Sequence, residues 1–219
     1  MDDSSPQIAP VGDGALLVTF GTVISPAINR RVLALVAALE AESLDGSAEL
    51  VPGYASLLVY YDCLQLGYDQ VEAWVRQRLA ALEFQPAGPV RQVEIQVHYG
   101  GEYGPDLPYV AHAHGLTPAE VIRLHSQRDY PVYMMGFTPG FPYLGEMDPL
   151  LATPRLSTPR SRVPAGSVGI AGEQTGIYPL DSPGGWRIIG WTPQRLFDPH
   201  RQPPFLLAPG DLVRFIPVV

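Results

Sequence analysis

Lysine is absent from this 219-residue chain; all 14 basic residues are arginine. That absence removes several chemistries at once. No P-loop lysine can reach a nucleotide phosphate, no side-chain amine can form a Schiff base with pyridoxal phosphate, and none can carry biotin or lipoate. Cysteine is almost missing too. Cys63 stands alone, which excludes an internal disulfide, a zinc ribbon and a CxxC redox pair, and a reducing cytosol fits. Charge is sparse, at 16% of residues against roughly 25% in an average globular protein. No apolar run approaches the ~20 residues of a membrane span, and the opening MDDSSPQIAP has neither the basic nor the apolar region of a signal peptide. The expectation is a soluble cytoplasmic protein with no membrane partner. A net charge of −8 and scattered arginines also argue against nucleic acid, which needs a concentrated positive face.

Glycine and proline are plentiful instead, with 22 and 24 residues, in a chain that is 46% hydrophobic and so able to bury a core. They are unevenly spread. Residues 1–99 contain 7 Gly and 6 Pro, whereas residues 100–219 contain 15 and 18, and most of the negative charge lies in the first part. The turn-rich stretch Gln85–Pro89 is the natural boundary, predicting one domain over residues 1–88 and a second over 89–219.

In the first half, Gly14 to Phe20 reads as a strand. Ser25 as N-cap and Pro26 at the first helical position open a helix whose apolar face is Ile28, Val32, Leu35, Val36 and Leu39. Two strands follow, Glu49–Val51 and Ser56–Tyr61, joined as a hairpin. A second helix is predicted with Asp69 as N-cap and Glu72 three residues on, then Val93–Tyr99 as a strand. The order β-α-β-β-α-β predicts a ferredoxin-like α/β sandwich. In the second half, Thr117-Pro118-Ala119-Glu120 combines N-cap, N1 proline and capping-box glutamate. Beyond it the short apolar segments 132–137, 168–171, 187–189 and 212–216, separated by Gly and Pro, predict an antiparallel β-barrel. The fold class is therefore α+β.

The unusual residues concentrate between 133 and 192. Loops rich in Gly and Pro make rigid pocket walls, and Phe137, Phe141, Tyr143, Tyr178 and Trp186 offer flat apolar faces to a ligand. The competing reading is that these rings fill the barrel core. Arg155 and Arg160, each after a proline, are candidates to fork onto a carboxylate or phosphate, or else to pair with a nearby acid. Gly166-Ser167 and Gly184-Gly185 are candidate nests of backbone N–H donors, and Gln174 a further substrate contact. Ser167 is not a nucleophile elbow, because Ala165-Gly166-Ser167-Val168-Gly169 departs from G-x-S-x-G. His125 is a candidate acid–base group or a structural residue at a helix C-terminus, and Glu102 and Asp106 form a candidate acid–base pair unless Asp106 is a helix N-cap. His112 and His114 diverge on a helix and face solvent; no residues have metal-ligand spacing.

These motifs carry a resemblance. The run from Gly136 to Pro193, with Pro10-Val11-Gly12-Asp13, Val51-Pro52-Gly53-Tyr54, Tyr99 to Leu107 and Pro209-Gly210-Asp211, is similar to the family containing the 5-oxoprolinase B subunits, the sporulation kinase inhibitor KipI and allophanate hydrolase subunit 1. The resemblance covers nearly the whole chain. It implies an N-terminal α+β domain followed by a cyclophilin-like β-barrel. It also implies partners, one of them a homologous C-type protein and the other an A-type protein, in a complex that opens the lactam 5-oxoproline to glutamate at the expense of ATP. ATP is then used by the complex and not bound by this chain alone, and the isolated chain is expected to be inactive. The alternatives it carries are a KipI-like inhibitor docking on a histidine kinase, or a member of another amide- or urea-processing complex. His98 departs from the cysteine expected before Tyr99.

Overall fold

The computed structural model describes residues 5–82 and 90–218, which fall into two compact units, Met1–Pro89 and Val90–Val219. The boundary turn Gln85–Pro89 lies outside the described residues.

The first unit runs β1 (Gln7–Pro10), β2 (Ala15–Thr19), α1 (Pro26–Ala41), β3 (Ser47–Pro52), β4 (Ser56–Tyr61) and α2 (Tyr68–Ala81). Period-2 alternation turns Leu16 and Val18 of β2, and Leu57, Val59 and Tyr61 of β4, toward the helices. α1 begins as its sequence predicts: the Ser25 hydroxyl accepts from the Ile28 N–H, and Val32, Leu35 and Leu39 are buried one turn apart. α2 begins two residues earlier than expected. Gly67 is the N-cap, and the Gln70 side chain accepts its N–H at 2.9 Å, taking the part assigned to Glu72. Its buried face is Val71, Trp74 and Val75.

The strand roster also differs from the ferredoxin-like expectation. The sheet order is β1-β2-β4-β3 with every pair antiparallel, and the outer strand beside β2 is β1. The segment expected to finish this sheet is β5 (Gln92–Tyr99), which instead lies in the second unit. A strand's partner is a non-local property, and the apolar alternation of residues 93–97 suits either sheet equally.

The second unit continues with α3 (Leu107–Ala113), α4 (Pro118–Ser126), β6 (Asp129–Met135), β7 (Pro142–Leu144), β8 (Arg160–Val163), β9 (Ser167–Ala171), β10 (Gln174–Ile177), β11 (Ser182–Gly184), β12 (Arg187–Trp191) and β13 (Leu212–Val218). Seven strands close a barrel in the order β10-β7-β6-β13-β5-β12-β9, and β8 pairs with β11 as a separate two-stranded ribbon. The barrel is not wholly antiparallel: β13 runs parallel to β5 from Leu212↔Gln92 to Val218↔His98. α4 carries the capping box expected of it, with Glu120 accepting the Thr117 N–H at 2.7 Å and Thr117 accepting the Glu120 N–H.

A titratable base lies in the barrel core. His125 is fully buried, stacked on Phe215 with ring centroids 4.5 Å apart. Its Nδ1 lies 2.7 Å from the Tyr99 hydroxyl and its Nε2 2.9 Å from the Thr175 hydroxyl. Thr175 donates its only hydroxyl proton to the Gly169 carbonyl, so Nε2–H must be the donor to Thr175, and Nδ1 accepts from Tyr99. Both ring nitrogens are satisfied with the imidazole neutral, and burial holds its pKa down at about 3.

Candidate functional site

Between β6 and β7 the chain makes a tight turn closed by Gly136 N–H to the Phe141 carbonyl and Phe141 N–H to the Thr138 carbonyl. Phe137 sits in it with φ +67°, in the left-handed region that a bulky side chain normally avoids, and the residue is 61% exposed. Such a conformation costs of order 1–3 kcal/mol, and in this turn it places an aromatic ring over a cleft. Phe137 meets Phe141 and Tyr178 edge-on at 5.6 and 6.4 Å. Phe141 meets Trp186 edge-on at 5.3 Å, and Tyr143 meets it at 6.0 Å.

Together with Arg155, Pro159, Pro183, Gly184 and Gly185, these rings line a cleft of about 350 Å³. Tyr178 and Gly184 require each other: a Cβ at residue 184 would overlap the Tyr178 hydroxyl, so only glycine lets the β8–β11 ribbon lie this close to the barrel. Burial raises the Tyr178 and Tyr143 phenol pKa values, opposed at Tyr178 first by a hydrogen bond from the Trp186 backbone and at both by the Arg155 charge. The phenols are therefore neutral hydrogen-bonding groups near pH 7. The Arg155 guanidinium lies 5.9 Å from the Trp186 ring centroid, and Arg155 forms no ion pair among the described residues. A cation without a counter-ion, backed by aromatic faces, suits a small flat ligand bearing a carboxylate.

Of the residues singled out in the sequence, Phe137, Phe141, Tyr143, Arg155, Tyr178, Gly184, Gly185 and Trp186 converge on this cleft. Pro159 and Pro183 line it as well; their signal was the Pro-rich context of the same loops. The others lie elsewhere. Arg160 takes the role of paired arginine: it forks onto both carboxylate oxygens of Asp106 at 2.9 Å and donates to the Trp186 carbonyl at 3.3 Å. Asp106 also accepts the Ile188 N–H at 2.7 Å, so it is neither an acid–base partner of Glu102 nor a side-chain cap of α3, although it occupies the N-cap position. His125 is sealed in the barrel core and lines neither the cleft nor its neighbour, which removes it as an acid–base candidate. The nest expected at Gly166-Ser167 does not form, because the Gly166 N–H donates to the Tyr178 carbonyl and the Ser167 N–H to the Pro164 carbonyl. Gln174 stands on β10 outside the cleft lining. His114, expected in solvent, is half-buried and hydrogen-bonded to the Thr153 hydroxyl at 3.0 Å.

Glu102, Arg160 and Ser167 line a second, smaller cavity of about 240 Å³ with Tyr103 and Trp191. Neither ring was singled out in the sequence, although Trp191 follows Gly190 and Tyr103 falls inside the Gly100–Asp106 motif.

Comparison with known proteins places this geometry. Residues 6–207 match the family described as carboxyltransferase domain, subdomain C and D. The chain is 45% identical over 220 residues to the 5-oxoprolinase B subunit of Bacillus subtilis, covering 96% of this chain and 92% of that protein. It is 43% identical to the 5-oxoprolinase B subunit of Haemophilus influenzae over 96% of this chain and 97% of the relative. Among solved structures, TTHA0988 superposes with a TM-score of 0.83 at 44% identity over 94% of this chain, which spans 40% of that longer chain. The Kluyveromyces lactis urea amidolyase shares the fold, with a TM-score of 0.81 at 20% identity over 100% of this chain and 15% of that one. No helix among the described residues is long and apolar enough to cross a membrane. With a family match over nearly its whole length, and relatives of the same size above 40% identity, the chain belongs to the carboxyltransferase subdomain C and D family that includes the 5-oxoprolinase B subunits.

Proposed function

We propose that this chain is the B subunit of an ATP-dependent 5-oxoprolinase, acting with a homologous C-type partner and an A-type partner, and that its cleft contributes the substrate site. The observation that carries the reading is Arg155, a cation with no ion pair among the described residues, set against the Trp186 ring in an aromatic cleft. 5-Oxoproline is a flat lactam with one carboxylate. Arg155 forks onto the carboxylate, the exposed Phe137 ring covers the lactam above a floor formed by the edges of Trp186 and Phe141, and Gly185 lets the ligand approach the backbone.

In the reaction so proposed, the lactam carbonyl oxygen attacks the γ-phosphorus of ATP and ADP leaves. Water then adds to the activated carbon, the ring C–N bond breaks with the nitrogen taking a proton, and the resulting γ-glutamyl phosphate is hydrolysed by a second water, releasing phosphate and the side-chain carboxylate of glutamate. This chain's residues bind and orient the ring and exclude water from it. The donor set does not fit a triphosphate, since Arg155 is the one cation among the described residues lining the cleft and Arg160 is committed to Asp106. ATP is therefore assigned to the partner proteins of the complex.

The test is ATP-dependent release of glutamate from 5-oxoproline by this chain alone, by the A-type and C-type partners without it, and by the full mixture. Activity confined to the full mixture is expected. Full turnover by the partners alone, or a silent mixture, would overturn the assignment.

A further inference from the structure

The smaller cavity has the opposite electrostatic character to the cleft. Two of its walls are aromatic: Tyr103 and Trp191 stack with ring centroids 5.3 Å apart at 19°, and His98 leans on both at 5.4 and 6.2 Å. The rings are held from behind. The Trp191 indole N–H donates to the Ala165 carbonyl at 2.8 Å, and Gly166, at φ +86°, has no room for a Cβ because the Thr192 carbonyl oxygen and the indole edge occupy the space. The loop carrying Glu102 and Tyr103 is pinned to the barrel at both ends, through Gly100 N–H to the Ile189 carbonyl and Asp106 N–H to the Ile188 carbonyl. Tyr103 nevertheless remains 42% exposed.

The charges decide what this cavity accepts. Arg160 lines it, but its charge is neutralised by the two-pronged contact with Asp106. Glu102 is exposed and has no hydrogen bond or ion pair among the described residues. A lone carboxylate beside stacked electron-rich rings, in a cavity of about 240 Å³ that has room for a whole basic side chain, attracts an organic cation through charge pairing and cation–π contact together. We propose that this cavity, independently of the lactam cleft, binds an organic cation of the guanidinium or alkylammonium class. The cation can arrive on a polypeptide side chain or as a free small amine.

The experiment follows the Trp191 indole N–H by NMR in the full chain while ethylguanidinium, the peptide acetyl-Gly-Arg-Gly-amide or its uncharged citrulline analogue is titrated. Both guanidinium probes are expected to shift the resonance saturably, and citrulline is not. Glu102→Gln and Tyr103→Ala should each weaken binding by about five- to tenfold. Glu173→Gln, which removes an exposed carboxylate outside the cavity lining, should not. Tighter binding of the peptide identifies a protein side chain as the source, and tighter binding of ethylguanidinium a free small cation. The proposal is overturned by an unsaturable or absent shift, by equal binding of citrulline, or by a Glu102→Gln effect no larger than that of Glu173→Gln.

Discussion

Arg155 and Arg160 stand five residues apart, each after a proline, and the fold gives them opposite fates. Arg160 belongs to the ribbon strand β8 and meets a buried carboxylate from the loop before α3, with both Nη2 contacts at 2.9 Å and a third bond to the Trp186 carbonyl. Arg155 lies on the loop before that strand, exposed over an aromatic face. One arginine closes a structural contact between segments 54 residues apart; the other has its hydrogen-bonding capacity still to use. A buried charge must be matched, whereas a charge beside a cleft can wait for a ligand.

The largest expected effect falls on the matched side. Asp106→Ala strands the Arg160 guanidinium and the Ile188 N–H together, and should lower unfolding free energy by about 3–5 kcal/mol in chemical denaturation. Arg155→Ala should leave stability within about 0.5 kcal/mol. If both changes destabilise equally, the contrast between the two arginines is lost.

Next comes His125, whose buried neutral ring contrasts with the cleft's exposed charge. Its folded pKa, about 3, is below the unfolded value of about 6.5, so the unfolded chain binds the proton first as pH falls. Stability from this group is complete well above pH 6.5 and is lost progressively toward pH 3, about 2 kcal/mol of it by pH 5. Urea denaturation across that window should show the slope, and His125→Gln should flatten it.

The smallest effect tests the strained ring at the cleft mouth. Phe137→Gly relieves φ +67° at an exposed position and should cost nothing or stabilise the fold by about 1 kcal/mol, while weakening ligand binding. Marked destabilisation would mean that Phe137 serves the core and not the cleft.

Much of this was legible in the sequence where the cause was local. The caps of α1 and α4 were readable because the N-cap side chain and the N–H it accepts lie within one turn. The cleft was readable as a cluster, because glycine, proline and aromatic residues were concentrated in loops too rigid to be incidental. What could not be read depended on distant partners. Nothing near Arg160 reveals that Asp106 will reach it, and nothing near β5 reveals that its parallel partner is β13 at the far end of the chain. His125 sits on the apolar stripe of α4, and its two hydrogen-bond partners come from strands 26 and 50 residues away. The pairing of Tyr103 with Trp191 was hidden in the same way, since the rings meet only when β12 is laid against β5.

The central claim is that the Arg155 cleft is where this chain meets its substrate. The most direct measurement compares kcat/KM for 5-oxoproline in the reconstituted complex carrying wild-type or Arg155→Ala chain, with assembly checked by sizing. A loss of about 30- to 100-fold with assembly intact is predicted, the cost of one charge-assisted carboxylate contact. Unchanged kcat/KM in an intact complex would contradict the account and move the substrate site away from this cleft.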